Sequence, residues 1–292
     1  MFSGVYTAIV TPFKNNKVDF DAFGKLIESQ YKSGVDGIVP CGTTGESPTL
    51  SYEEHELVIE FCVKNTRGKM KVLAGTGSNS TDEALHLTQV AKRTGCDGAL
   101  VVSPYYNKPT QNGLYLHFKT IADAVVDIPI VLYNIAGRTS VNIEPITMAR
   151  LFSDCRNIVG VKEASGSLAQ MSIIKSLSPG IELISGDDAL TLPVLSLGGT
   201  GVISVLSNII PHEIVSLVKT FEKGDFKEAN KIHYKLLPLV NSMFIETNPI
   251  PIKTAAALLG LCEFGLRLPM CEMNEFNRIK LEKALKDFGL LR

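Results

Sequence analysis

Short apolar runs alternate with amphipathic stretches along most of the chain. Runs at 5–10, 37–40, 71–74, 99–103, 128–133, 158–162, 182–185 and 202–206 have the length and Val/Ile/Leu content of buried strands. Stretches at 19–33, 51–64, 81–94, 112–125, 144–152, 167–177, 188–196 and 211–222 lie between and after them and predict helices. Helix starts are marked. Ser51 precedes "YEEHE" with Glu54 in the capping-box position, and Asn79-Ser80-Thr81 precedes "DEALHLTQVAKR", acidic early and basic late as the helix dipole favours. Gly34, Gly37 and Gly95 fall near helix ends or strand starts, where αβ connections prefer them.

Eight strands alternating with eight helices predict an α/β fold of the (β/α)8 type. A doubly wound open sheet is the rival, but it needs a Gly-rich phosphate turn after an early strand, and the first loop, "TPFKNNKVD", has none. After residue 224 the pattern changes to three helical stretches, 225–243, 250–260 and 274–288, with no strands between. The reading is a catalytic barrel over 1–224 and a C-terminal helical domain over 225–292, packed on the barrel or used in oligomer contacts.

Composition narrows the function classes. A 45% hydrophobic chain of 292 residues can build a sizeable core, and a net charge of −1 without a Lys/Arg-rich block favours neither nucleic acid nor an acidic membrane surface. Six cysteines at 41, 62, 96, 155, 262 and 271 show no CxxC spacing, so reduced thiols in the cytoplasm are expected, with Cys41 as a buried strand thiol. The opening "MFSGVYTAIVTPF" lacks a basic n-region and a clean apolar h-region, which predicts no signal peptide. Residues 189–211 carry no charge and have the length of a membrane span, but their prolines and glycines read better as a short helix, a Gly turn and a buried strand.

Active sites of such barrels lie at the C-terminal ends of the strands. There the sequence places "CGTTGES" (41–47), "SPYYNKP" (103–109), "YNIAGRT" (133–139), "KEASG" (162–166) and "SGDDA" (185–189). Lys162 ends an apolar run. Alternation puts Ile158, Gly160 and Lys162 on the face towards the barrel interior, with Gly160 leaving room, and Val159 and Val161 towards the helices. A desolvated ammonium there loses basicity, and a neutral amine can form a Schiff base with a keto acid. A lysine paired with Glu163 at the strand end is the plain alternative, which the companions on the same rim oppose. Tyr133 ends the neighbouring strand and suits proton transfer, or is a core tyrosine. "GTTGE" offers hydroxyls and backbone N–H groups to a carboxylate, and Arg138 offers a planar fork to a second one, or is a surface arginine. Tyr105 and Tyr106 could equally be packing aromatics. Asp187-Asp188 reads as a cap for the seventh helix, and neither a metal-ligand spacing nor a nucleotide fingerprint is present, so no cofactor or metal is expected.

"GTTGE" (42–46), "YYNKP" (105–109), "YNIAGRT" (133–139), "GVKEASG" (160–166), "GTGVISV" (199–205) and "NPIPIK" (248–253), in this order along the whole chain, resemble the dihydrodipicolinate synthase family of pyruvate-dependent class I aldolases and lyases. The resemblance implies a Schiff-base-forming lyase of lysine and diaminopimelate synthesis that joins pyruvate to L-aspartate 4-semialdehyde. It implies that Lys162 forms the pyruvate imine, that Tyr133, Thr43 and Tyr106 (from a neighbouring subunit) relay protons, and that Thr44, Gly186 and Ile203 bind pyruvate. Arg138 would bind the semialdehyde's carboxylate. A homotetramer of two tight dimers is implied. So is a lysine feedback site at Ser47, His55, Asn79, Glu83 and Tyr105, although Pro48 and Tyr52 depart from some lysine-sensitive members. N-acetylneuraminate lyase and related sugar-acid aldolases are the competing relatives. Thr43 and Arg138 favour the synthase, while Ala136, where proline is frequent, predicts a less rigid Arg138 loop.

Overall fold

The apolar runs pair into eight parallel strands: β1 (Gly4–Thr7), β2 (Gly37–Ile38), β3 (Lys71–Gly75), β4 (Gly98–Val102), β5 (Ile130–Asn134), β6 (Ile158–Glu163), β7 (Glu182–Ser185) and β8 (Gly201–Ser204). They close in chain order, β8 returning to β1. This computed structural model describes residues 1–292. Around the barrel lie α1 (Phe20–Lys32), α2 (Tyr52–Thr66), α3 (Thr81–Thr94), α4 (Gln111–Ala124), α5 (Pro145–Asp154), α6 (Leu168–Leu177), α7 (Thr191–Ser196) and α8 (Pro211–Glu222). A small hairpin, Phe13–Lys14 against Lys17–Val18, follows β1, and α9 (Phe226–Ser242), α10 (Ile250–Leu258) and α11 (Glu275–Phe288) complete the chain.

The ladder is shorter at the top of β1 and β2 than the apolar runs suggest. Residues beyond it still bond like strand: Val39 N donates to Thr7 O at 2.7 Å and Ala8 N to Ser204 O at 2.9 Å. Ser51 forms the expected capping box with Glu54, and Ser80 caps α3. Residues 189–211 resolve into α7, a Gly198–Gly199 turn and β8, and no helix is long and apolar enough to cross a membrane.

Two apolar cores result. The inner one fills the barrel with Phe2, Tyr6, Val39, Leu73, Leu100, Val131, Tyr133, Ile184 and Ile203. Phe2 plugs its floor. A Cβ on Gly98 would stand 2.4 Å from the Phe2 ring, so β4 must carry glycine there. The outer core lies between strands and helices, and α9, α10 and α11 add Leu236, Leu239, Ile252 and Leu281 to it. The C-terminal helices are thus part of one continuous packing layer with the barrel, not a loose appendage.

The register of β6 corrects one expectation. Ile130 pairs with Ile158, but the next partners are Val131 and Gly160, so Val159 is an extra residue in a bulge. Strict alternation therefore breaks. Ile158 joins the outer core with Val161, whereas Val159 packs against the inner one. Beyond the bulge alternation resumes, and Lys162 pairs with Tyr133 on one side and Ile184 on the other. Gly160 does leave room, but for β7: an added Cβ would meet Glu182 O at 2.8 Å.

Candidate active site

The C-terminal ends of β5 and β6 put Tyr133 and Lys162 side by side in register. Lys162 is only 6% exposed, and its Nζ stands 4.2 Å from the centre of the Tyr133 ring. Burial lowers its pKa from 10.5 to about 7; the nearby Asp188 carboxylate opposes that fall and Arg138 reinforces it. Close to neutral pH the side chain is then a substantial fraction free amine. Gly186, after β7, supplies the space it occupies: a Cβ there would stand 3.1 Å from Lys162 Cε.

Glu163 is not the partner of Lys162. Its carboxylate faces away from the barrel interior and accepts from Asn134 Nδ2 (3.0 Å), Gln170 Nε2 (3.0 Å) and Ser165 N (2.7 Å). Three donors fix this buried anion, so it has no need of the ammonium. The adjacent charges along β6 alternate faces as strand geometry requires.

Asp188 corrects a second expectation. Asp187 does act as a cap, accepting from Ala189 N at 2.9 Å. Asp188 instead turns inward and accepts from Ser204 Oγ (2.5 Å), Val205 N (2.8 Å) and Leu206 N (3.1 Å). It ties β7 to the end of β8, and burial raises its carboxyl pKa while these three donors oppose the rise.

Tyr133 is buried, and desolvation raises its phenol pKa, with Arg138 and the Thr43 hydroxyl opposing the rise. Thr43 and Thr44 ride the Gly-rich loop after β2. The buried Thr44 Oγ1 accepts from Asn248 Nδ2 at 3.0 Å, which leaves its own hydrogen free to donate. Arg138 lies on a single helical turn, Ala136–Thr139, and its Nη2 donates to Asn248 O at 3.0 Å. Ala136 occupies the first position of that turn, closed by Ser140 N to Ala136 O at 2.9 Å. Ile203 is buried in the inner core.

A cavity of about 340 Å³ opens beside these groups. Thr43, Tyr133 and Arg138 line it together with Ser47, Tyr52, His55, Glu83 and Tyr105, whereas Lys162, Thr44, Gly186 and Ile203 do not. His55 is buried there with neither ring nitrogen hydrogen-bonded, and burial lowers its pKa to about 4. Glu83 accepts from Ser78 Oγ. Asn79 does not line this cavity; its carbonyl accepts from Asn107 Nδ2 at 2.8 Å. Tyr106 stands apart. It is 88% exposed, and its backbone lies in the left-handed region with φ of 72°. Within one chain its phenol makes no approach to this cavity.

A weakly basic amine, a phenol beside it, hydroxyl and amide donors for carboxylates and an exposed arginine form a site for imine chemistry on a keto acid. A model of the Dihydrodipicolinate synthetase family matches residues 1–288. The chain belongs to that family. A protein named 4-hydroxy-tetrahydrodipicolinate synthase from Endomicrobium trichonymphae is 80% identical over 292 residues, the whole of both chains. The crystal structure of dihydrodipicolinate synthase from Aquifex aeolicus superposes with a TM-score of 0.97 at 53% identity, covering 99% of each chain. A dihydrodipicolinate synthase from Cyanidioschyzon merolae, solved with lysine bound, gives 0.96 at 44% identity, again covering 99% of each chain.

Sequence reasoning overlooked Asn248, Glu46 and Lys253. The last offers the same signal as Lys162, a lysine inside an apolar stretch, "NPIPIKTAAALLG".

Proposed function

We propose that this chain is a 4-hydroxy-tetrahydrodipicolinate synthase that joins pyruvate to L-aspartate 4-semialdehyde, with Lys162 as the nucleophile. The observation that carries this reading is the buried, weakly basic Lys162 against the Tyr133 ring. The neutral amine attacks the keto carbon of pyruvate, and loss of water leaves an iminium on Nζ. That cation draws electrons from the adjacent methyl group, which gives up a proton and becomes an enamine carbon. The enamine attacks the aldehyde carbon of the semialdehyde. The semialdehyde's own amino group then adds to the imine carbon, closes the ring and expels the Lys162 amine unchanged.

Tyr133 accepts and returns the protons at the imine, connected through Thr43 to Tyr106 of the partner subunit. The exposure of Tyr106 supports that assignment, since a phenol so far from its own cavity suits a neighbour's. Thr43 and Thr44 hold the pyruvate carboxylate, and Gly186 and Ile203 shape its pocket. Arg138, steadied by Asn248 O, takes the carboxylate of the second substrate. We assign residues 1–224 to the catalytic barrel and 225–292 to the helical domain, the assembly to a tetramer of two tight dimers, and the location to the cytoplasm.

L-Lysine is proposed as a feedback ligand of this cavity. Glu83 suits its ammonium, and Ser47, His55 and Tyr105 line the same space. Asn79 would reach it only from a neighbouring copy or after a shift of its loop. The lysine-bound Cyanidioschyzon merolae relative supports this reading. The discriminating experiment offers the enzyme pyruvate with L-aspartate 4-semialdehyde, and separately N-acetylneuraminate. Turnover of the first pair alone is expected; cleavage of the sugar acid without condensation would refute the synthase reading. A rate unchanged by millimolar lysine would refute the feedback site.

A further inference from the structure

Lys162 is not the only lysine in the interior. Lys253, on α10, is 1% exposed and lies outside the chemistry described above. Its Nζ is 2.5 Å from Glu46 Oε1 and 2.8 Å from Thr11 O, and it faces the Phe13 ring at 4.1 Å. Glu46 is the last residue of the "GTTGE" loop and is buried in a left-handed conformation, φ 54°. Its other oxygen accepts from Arg267 N at 3.1 Å. The Arg267 guanidinium also lies over the Phe13 ring, at 4.3 Å, and grips both oxygens of Glu54 at 2.6 Å. Thr11 Oγ1 donates to Gly45 O at 2.7 Å on the same loop. The loop carrying Thr43 and Thr44 is therefore pinned from the C-terminal segment, at Glu46 by Lys253 on α10 and at Thr44 by Asn248 just before α10.

A buried ion pair seldom adds much net stability, because desolvation offsets the attraction; its best-attested use is to fix a unique arrangement. Glu46 needs fixing, since a non-glycine residue held in the left-handed region tends to relax. Relaxation at Glu46 would swing the hydroxyls two and three residues earlier. We propose that Lys253 is a positioning residue for the reaction, acting through Glu46 to hold Thr43 and Thr44 at the height that Tyr133 and the substrate carboxylate require. The helical domain thereby sets the geometry of the barrel's active site. This inference rests on the proposed roles of Thr43 and Thr44.

The test compares the parent with E46Q/K253M, which removes both charges together and so leaves no orphaned ion. E46Q alone is the milder second variant. Both Glu46 oxygens accept from donors, so a Gln there must turn its NH₂ towards one of them and lose that anchor. Three readouts are taken: thermal midpoint, borohydride trapping of pyruvate on Lys162, and exchange of the pyruvate methyl protons with D₂O. For the double variant, trapping at saturating pyruvate should persist, half-saturation should rise about tenfold, and methyl exchange should slow by roughly 10- to 100-fold, the usual size of a misplaced proton relay. E46Q should lie between it and the parent. Parent-like exchange and half-saturation in either variant, whatever its melting point, would overturn the proposal alone. Failure of the parent itself to trap pyruvate on Lys162 would overturn it together with the site reading beneath it.

Discussion

The pH dependence of imine formation follows directly from the burial of Lys162. Its pKa of about 7, against 10.5 for an ordinary lysine, leaves about half of it neutral at pH 7. An ordinary lysine would be neutral there in about one molecule in 3,000, so burial raises the concentration of nucleophile on the order of a thousandfold. The perturbation is pH, and the assay is the initial rate of borohydride-trapped adduct at limiting pyruvate. From pH 6 to pH 8 the rate should rise about tenfold and then level off. A rate that keeps climbing through pH 9 would mean an ordinary, hydrated ammonium and would refute the argument. D188N removes the charge that opposes the depression, so its midpoint should fall below the parent's. Stability carries the opposite face of the same effect. Between pH 7 and 10.5 the unfolded chain holds a proton that folded Lys162 lacks, so this residue's contribution to stability rises with pH across that window. Below it, burial of the ammonium costs on the order of 5 kcal/mol. K162M should therefore raise the melting point more at pH 6 than at pH 9.

Further perturbations separate the parts of the site. Y106A should leave the fold of its own subunit intact, because within one chain the side chain is 88% exposed, yet lower kcat by about 100-fold or more. Co-assembly with K162A subunits should then recover activity at about a quarter of the sites, the share expected if each dimer site borrows its phenol from the partner; no recovery would place Tyr106 in its own subunit's site. G186V should abolish trapping while the barrel still folds, since even a Cβ would stand 3.1 Å from Lys162 Cε and 2.7 Å from Ala164 Cβ. E163A strands the Ser165 N–H and leaves the Asn134 and Gln170 amides with Asn142 Oδ1 as their one acceptor, and should cost about 3 kcal/mol, or roughly 5–10 °C in melting temperature. An unchanged melting point would show that this anion is not the anchor its contacts suggest.

The barrel was legible because a buried parallel strand and an amphipathic helix have periods that one sequence displays plainly. Lys162 was legible because a charge ending an apolar run is anomalous. The bulge at Val159 was not, since nothing in "NIVGVKE" distinguishes an extra residue from a regular one; only the pairing with β5 reveals it. Asp188 was misread for a related reason: two adjacent acids before a helix look like caps, and which of them turns inward depends on donors from β8, sixteen and more residues away. Lys253 was missed although its signal matched that of Lys162. Its partner Glu46 lies 207 positions earlier, and no local pattern announces an ion pair across that distance. Tyr106 is a different case. Its proposed role needs a second copy of the chain, which no pattern within one sequence displays.

The Lys162 amine, alone among the buried lysines, should bond to pyruvate. Borohydride reduction with pyruvate present, followed by peptide mass spectrometry, tests it directly. A single carboxyethyl adduct is expected on the peptide carrying Lys162 and none on the peptide carrying Lys253, whose Nζ is committed to Glu46 and Thr11. An adduct on Lys253, on a surface lysine, or on no lysine at all would contradict it.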